Sequence, residues 1–201
     1  MARAAPRYDG ARVNASSTRF SQAIAEGDGI SVVAHVTSAD DARRAVDAGA
    51  DALLLRGDVA LDAPNELPLL ARADGAYREN ADALLLEPGA WDDDDLTRRY
   101  GEIVDGGVEC VVGVHDEEQL ERVLELLDPE ILLLSGDEDA YDRVEAVLDL
   151  LPDVPAGKLV VADVGGVGED AVAGLERVGV DAVIVPVADV AALVGDEPPE
   201  V

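Results

Sequence analysis

The sequence predicts a single α/β domain built as a compact (β/α)8 barrel, or TIM barrel, and three observations carry that prediction. Short apolar runs alternate with amphipathic segments along all 201 residues, as parallel strands joined by crossover helices do. A two-strand unit recurs, residues 33–46 echoing residues 111–124, and each copy is followed by a Leu-rich run. Every second strand also shares a signature: Gly49-Ala-Asp-Ala-Leu-Leu-Leu55, Asn80-Ala-Asp-Ala-Leu-Leu-Leu86 and Gly179-Val-Asp-Ala-Val-Ile-Val185, with Asp128-Pro-Glu-Ile-Leu-Leu-Leu134 as a looser fourth. A strand, helix, strand unit repeated four times closes most simply into eight strands, at a length near the lower limit of about 200 residues for such barrels. An open doubly wound sheet leaves the fourfold rhythm unexplained. The run Gly165-Gly-Val-Gly168 also lies too late in the chain for a dinucleotide fingerprint.

Taken in order, the strands are expected at residues 31–36, 52–55, 68–72, 83–86, 109–114, 131–134, 159–163 and 182–185. Ser38 is placed to cap a helix starting at Ala39, and Asp116 one starting at Glu117. Acidic residues in the first turns suit the positive end of each helix dipole. The run Trp91-Asp-Asp-Asp-Asp95 is read as another helix start on a solvated face rather than a cation site. Residues 56–66 are too few and too Pro-interrupted for a full helix, so the crossover after the second strand should be shortened. One domain over residues 1–201 is expected, with residues 1–18 and 195–201 as flexible ends.

Composition bounds the habitat and the partners. The chain carries 44 carboxylates against 15 basic side chains, of which Lys158 is the one lysine, and its formal charge is -29. Such a chain repels itself in dilute buffer unless concentrated salt shortens the Debye length, so a halophilic, salt-filled cytoplasm is the expected setting. The repeated apolar runs argue for a folded protein and against acidic disorder. Cys110 is the lone cysteine and lies in an apolar stretch, which leaves no disulfide framework and fits a reducing compartment. No apolar run reaches membrane-spanning length, and the N-terminus lacks the apolar core of a signal peptide. No basic stripe could neutralise nucleic-acid phosphates. The composition leaves the oligomeric state open.

In a barrel of this kind, chemistry sits where strands end and the following loops begin. The polar residues at those positions are His35 and Thr37 after the first strand, Arg72 after the third, His115 after the fifth, Ser135 after the sixth and Asp163 after the seventh. Gly165, Gly166 and Gly168 open the next helix, where backbone N–H groups could cradle an anion, or could serve only as a tight turn. Arg72 could clamp an anion or pair with a surface carboxylate. His35, His115 and Asp163 are metal-ligand types, but the first and fifth strands face each other across the barrel, so satisfied core histidines are the better reading and no metal or cofactor is expected. These strands are apolar on both sides, so periodicity leaves the inward face of the first and fifth strands undecided.

The residues resemble the indole-3-glycerol-phosphate synthase family of phosphosugar-binding barrels, lyases of tryptophan biosynthesis. The resemblance runs through Arg19-Phe-Ser-Gln-Ala-Ile24, Val32-Val-Ala-His35 and Leu67-Pro-Leu-Leu-Ala-Arg72, and is closest over residues 107–121 and from Val160-Val-Ala-Asp-Val-Gly-Gly166 to Val185. It implies an active site at the strand ends, but most of the family's catalytic residues are replaced. A Glu and a Lys of the first strand become His35 and Thr37, and the third-strand Lys falls on or beside Arg72. The fifth-strand Glu becomes Gly113, with the His two residues on kept as His115; the sixth-strand Asn becomes Ser135. The seventh-strand Glu-Ser pair becomes Asp163 and Val164, and the eighth-strand Gly that helps hold phosphate becomes Pro186, which has no N–H to donate.

An arginine is too basic to take over the proton donation of a lysine, and Lys158 precedes the seventh strand and belongs at the opposite rim. The expected function is therefore a divergent barrel that binds a small phosphorylated or carboxylated metabolite, with ordinary synthase chemistry lost or altered. Two alternatives stand beside it. One is an active carbon–carbon lyase or phosphosugar isomerase using His35, Arg72, His115 and Asp163 as its acid/base set, with Thr37, Ser135, Gly165, Gly166 and Gly168 binding ligand. The other is a non-catalytic subunit or scaffold.

Overall fold

A computed structural model describes residues 18–25, 29–56, 66–75, 78–136 and 143–194 of the chain. The shortened crossover expected after the second strand falls largely outside these residues, as do both expected flexible ends apart from Thr18. Eight strands form a closed, all-parallel barrel in sequence order, the (β/α)8 architecture. They are β1 (Ser31–Val36), β2 (Ala52–Leu55), β3 (Leu69–Arg72), β4 (Ala83–Leu86), β5 (Glu109–Val114), β6 (Ile131–Ser135), β7 (Leu159–Asp163) and β8 (Ala182–Pro186). The described helices are α1 (Arg19–Ala25), α2 (Ala39–Asp47), α3 (Asp93–Asp105), α4 (Glu117–Leu126), α5 (Arg143–Leu150), α6 (Glu169–Arg177) and α7 (Val187–Val194).

Carrying the strand register once around the barrel displaces its starting point by eight residues, the shear of a (β/α)8 barrel. Inward side chains then stack in layers drawn alternately from even and odd strands. Ala52, Ala83, Ile131 and Ala182 form one layer, Val33, Leu70, Val111 and Val161 the next, and Leu54, Leu85, Leu133 and Ile184 the third, all within one buried cluster. The repeated signature of the even strands is thus explained in part: its small residue and its second large apolar residue face inward. The remaining apolar residues, such as Leu53, Leu55, Leu84 and Leu86, face the helices in a second cluster.

The aspartate of that signature has its own task. Asp51 Oδ2 accepts the N–H of Val32 at 2.8 Å while the Asp51 N–H donates to the Val32 carbonyl at 2.9 Å. Asp82 makes the same two-bond clasp with Leu69, and Asp181 with Val160. The looser fourth unit has no such clasp among the described bonds: the Glu130 carbonyl instead accepts the N–H of Leu159, at the start of the following strand β7, at 2.9 Å. Each clasp ties the start of an even strand to the odd strand before it, satisfying a backbone donor at the barrel floor.

The floor itself is closed by α1, whose Phe20 and Ile24 are buried under the lowest interior layer. The three alanines in that layer leave room for them. Glu109, entering β5, accepts the N–H of Phe20 at 2.8 Å and of Ser21 at 3.1 Å, which caps the plug helix from across the barrel. Burial pushes the Glu109 carboxyl above its ordinary range, and these N–H bonds oppose that push.

Helices α2 and α4 begin at the caps expected from the sequence, and α3 begins at Asp92 within the run read as a helix start. Ser38, Asp92 and Asp116 accept the N–H of Asp41, Asp95 and Gln119 at 3.1, 2.9 and 2.8 Å. The run from Trp91 to Asp95 is accordingly a capped helix start. One crossover differs from expectation: β3 and β4 are joined by residues 73–82, whose described part holds a single short 3-10 turn, Arg78–Asn80. A groove of about 560 Å3 opens between β4 and α3, lined by residues including Arg72, Glu87, Trp91 and Arg99, with the Arg99 guanidinium 3.6 Å from the Trp91 ring centre. Cys110 is buried, which pushes its thiol up to about 12 and leaves it unreactive at neutral pH. Among the described residues no helix is long and apolar enough to cross a membrane.

Asp181→Ala should remove one clasp, leave the Val160 N–H without its acceptor and cost about 1–3 kcal/mol, measured by denaturant unfolding in molar salt. Asp51→Ala should cost a similar amount. Glu130→Ala should cost little, because among the described residues the Glu130 side chain makes no clasp to the preceding strand.

Candidate functional site

Above the three apolar layers the interior turns polar. The next layer belongs to the odd strands and takes His35, Arg72, Gly113 and Asp163. The one above it belongs to the even strands and takes Arg56, Glu87, Ser135 and Pro186, with His115 two residues beyond Gly113. The inward face of β1 is therefore that of Val33 and His35, and of β5 that of Val111, Gly113 and His115.

Asp163 anchors one half of this mouth. Its side chain is only 7% exposed, and two guanidinium groups converge on it: Arg56, from the end of β2, on Oδ2, and Arg143, from the start of α5, on Oδ1 at 3.6 Å. Arg56 and Arg143 remain 44% and 35% exposed, so each retains N–H donors for a further partner. Two cations on one carboxylate leave a local positive excess in a chain of charge -29. His35 stands beside this group with its Nε2 buried and without a hydrogen-bond partner among the described residues. Burial, then the Arg56 charge, hold its imidazole below the ordinary range, with Asp163 and Asp41 partly opposing. His35 is thus neutral at pH 7, but it is not the satisfied core histidine the sequence suggested.

The other half is a hydrogen-bonded chain across three adjacent strands. Ser135 Oγ lies 2.7 Å from His115 Nδ1, and His115 Nε2 lies 3.2 Å from Glu87 Oε2. Glu87 reaches this position because residue 113 is glycine: a Cβ there would sit 2.5 Å from Glu87 Oε2. A carboxylate thus occupies the space above Gly113, supplied by the fourth strand rather than the fifth.

The remaining expected site residues are placed differently. Arg72 turns to Asp74, with Nε and Nη2 at 3.0 and 3.1 Å from its carboxylate oxygens, and is half exposed. The Thr37 hydroxyl and N–H both donate to Asp41, at 2.7 and 3.0 Å, holding that carboxyl well below its usual range. Thr37 serves the entry to α2. Gly165 has φ +65, which favours glycine, and its open side meets Arg143. Gly166 instead faces Asp189, whose Oδ2 is 3.2 Å from where a Cβ would stand, and Glu169 and Asp170 follow Gly168 in the first turn of α6. These carboxylates oppose an anion cradle on the glycine turn. Lys158 lies at the opposite rim, on Asp128 at 2.6 Å. Among the described residues no group of three His, Cys, Asp or Glu side chains is disposed to hold a metal ion.

Arg56, Glu87 and Arg143 escaped the sequence reading. The first two were within its reach. Residues 52 and 54, and 83 and 85, face inward, so the same alternation carries the inward face to 56 and 87, one step past the Leu-rich runs. Arg143 had no local signal, since it reaches Asp163 from a helix that follows a different strand.

No protein-family model matches the chain. Among curated proteins it is similar to the indole-3-glycerol phosphate synthase of Nocardioides sp. (strain ATCC BAA-499 / JS614), 36% identical over 165 residues, covering 78% of this chain and 56% of that enzyme. It is also similar to the synthase of Variovorax paradoxus (strain S110), 32% identical over 177 residues, covering 83% and 64%. With the synthase of Geobacillus sp. (strain WCH70) the match is 34% over 113 residues, covering 55% and 43%. The chain thus spans less than two thirds of the length of these relatives. Solved structures of similar fold include a 2,3-dimethylmalate lyase of the PEP mutase/isocitrate lyase superfamily, with TM-score 0.63, 17% identity and coverage of 91% of this chain and 83% of that one. An oxaloacetate acetylhydrolase gives TM-score 0.64, 13% identity and coverage of 88% and 82%. At these identities the structural likeness speaks for the barrel fold alone.

Two outcomes follow from this geometry. Because the folded-state pKa of His35 is lowered, its contribution to stability is full above about pH 6.5 and is lost as the pH falls below that value. Unfolding titrations should show that part of the acid loss absent in His35→Gln. Gly113→Ala should expel Glu87 from His115, read as a change in the His115 imidazole resonances with the barrel still folded.

Proposed function

We propose that the chain is a synthase-like barrel whose mouth binds a small metabolite carrying a carboxylate or phosphate group, with the ring-closing carbon–carbon chemistry of the synthases lost or altered. The observation that supports this reading is the convergence of Arg56 and Arg143 on Asp163. Asp163 fixes both guanidinium groups, and their remaining donors can grip an anion with little further loss of side-chain freedom. His35, neutral and without a partner at Nε2 among the described residues, adds a hydrogen-bonding atom beside them. The anion site is thus assigned to the arginines rather than to the glycine turn, where Gly166 faces Asp189.

The case for altered chemistry rests on what stands at the mouth. The synthase resemblance implies lysines at the ends of β1 and β3, where this chain has Thr37, occupied with Asp41, and Arg72, occupied with Asp74. The lone Lys158 is at the wrong end of the barrel. The excess of carboxylates fits a protein that works in a salt-rich cytoplasm.

In molar KCl, the phosphorylated anthranilate-deoxyribulose substrate that the resemblance implies should raise the melting temperature without generating indole fluorescence. Arg56→Gln and Arg143→Gln should each weaken binding roughly tenfold or more, about 1.4 kcal/mol. Turnover to a fluorescent indole would overturn the loss of synthase chemistry, and no thermal shift with any phosphosugar or small carboxylate would favour a scaffold.

A further inference from the structure

The chain of bonds from Glu87 through His115 to Ser135 belongs to none of the chemistry so far described. Glu87, as a carboxylate, can only accept a hydrogen bond, so His115 Nε2 carries the hydrogen of the 3.2 Å contact. In the neutral ring Nδ1 is then the bare acceptor, and the Ser135 hydroxyl donates to it across 2.7 Å. This is the order of nucleophile, base and orienting acid found in serine acyl-transfer sites, recognised by geometry rather than by sequence position. The ring is used with its two nitrogens exchanged relative to the chymotrypsin arrangement.

Three further features favour chemistry over packing. His115 and Glu87 are 33% and 31% exposed at the mouth, whereas Ser135 is 6% exposed, so the chain runs from open solvent to a sheltered hydroxyl. Gly113 clears the space that Glu87 needs. Ser135 is paired in register with Asp163, which the Arg143 guanidinium meets at 3.6 Å, so a cation is held one strand from the hydroxyl.

We propose that Ser135 is a nucleophile activated by His115, with Glu87 positioning the imidazole, and that the site hydrolyses small esters bearing a carboxylate or phosphate. Ser135 Oγ attacks the ester carbonyl while its proton passes to His115 Nδ1. Collapse of the tetrahedral adduct breaks the bond to the alkoxide, which leaves as an alcohol with that proton. Water, deprotonated by His115, then attacks the acyl-serine, releasing a carboxylic acid and restoring the hydroxyl. The charge of the substrate rests on the proposed anion site; the serine chemistry does not.

The whole chain in molar KCl is treated with diisopropyl fluorophosphate, an uncharged probe that needs no anion site, and followed by intact mass. One adduct per chain, mapped to Ser135, is the expected result, absent in Ser135→Ala and formed roughly 100-fold more slowly or worse in His115→Gln. An unlabelled wild type, an adduct elsewhere, or a His115→Gln variant that labels as fast as wild type overturns the proposal. The unaltered protein carries the first readout, so a variant that fails to fold cannot decide the matter. For the ester, 4-nitrophenyl hydrogen succinate is compared with neutral 4-nitrophenyl butyrate. Preference for the succinate that Arg56→Gln abolishes is expected, and Glu87→Gln should lower kcat at unchanged KM. Labelling of Ser135 without that preference overturns the substrate class while the nucleophile stands.

Discussion

Closure of eight parallel strands with a shear of eight forces inward side chains into layers supplied alternately by even and odd strands, and the mouth inherits its chemistry from that alternation. Three apolar layers fill the barrel with Val, Ile, Leu and Ala. The next two layers bring residues from all eight strand ends to one rim, with Arg72 turned aside to Asp74. A polar residue one step beyond a strand's last apolar residue therefore joins the site, and a neighbour one position away faces the helices instead.

The two ends of the barrel spend their carboxylates differently. At the floor, Asp51, Asp82, Asp181 and Glu109 satisfy backbone N–H groups and hold strands and plug helix together. At the mouth, Asp163 and Glu87 hold side chains: arginines in one case, a histidine in the other.

Set beside the synthase resemblance, the mouth shows exchange between strands more than simple loss. Glu87 of β4 stands over Gly113, where the resemblance implies a carboxylate from β5, and Arg56 and Arg143 bring cations to a mouth without the lysines it implies on β1 and β3. The exchange changes the chemistry on offer. Lysines donate protons and arginines hold anions, so on the proposed reading the mouth is suited to hold an anion and lacks a lysine to act as acid.

The strand boundaries were legible in the sequence to within a residue, because an apolar run between a turn and a helix cap is a local signal. The caps at Ser38 and Asp116 were equally local. The fourfold repeat was sufficient to indicate closure. What the repeat's aspartate does, by contrast, appears only when two strand starts are side by side. Which face of β1 and β5 turns inward was undecidable from strands apolar on both sides, and closure decided it. The pairing of Arg56 with Asp163 joins residues 107 positions apart, and the seat of Glu87 depends on a glycine in the neighbouring strand. The chain alone determined a barrel with polar groups gathered at the strand ends. Only the tertiary structure decided which polar groups meet there, because contact between strands is set by register and shear, which no single strand encodes.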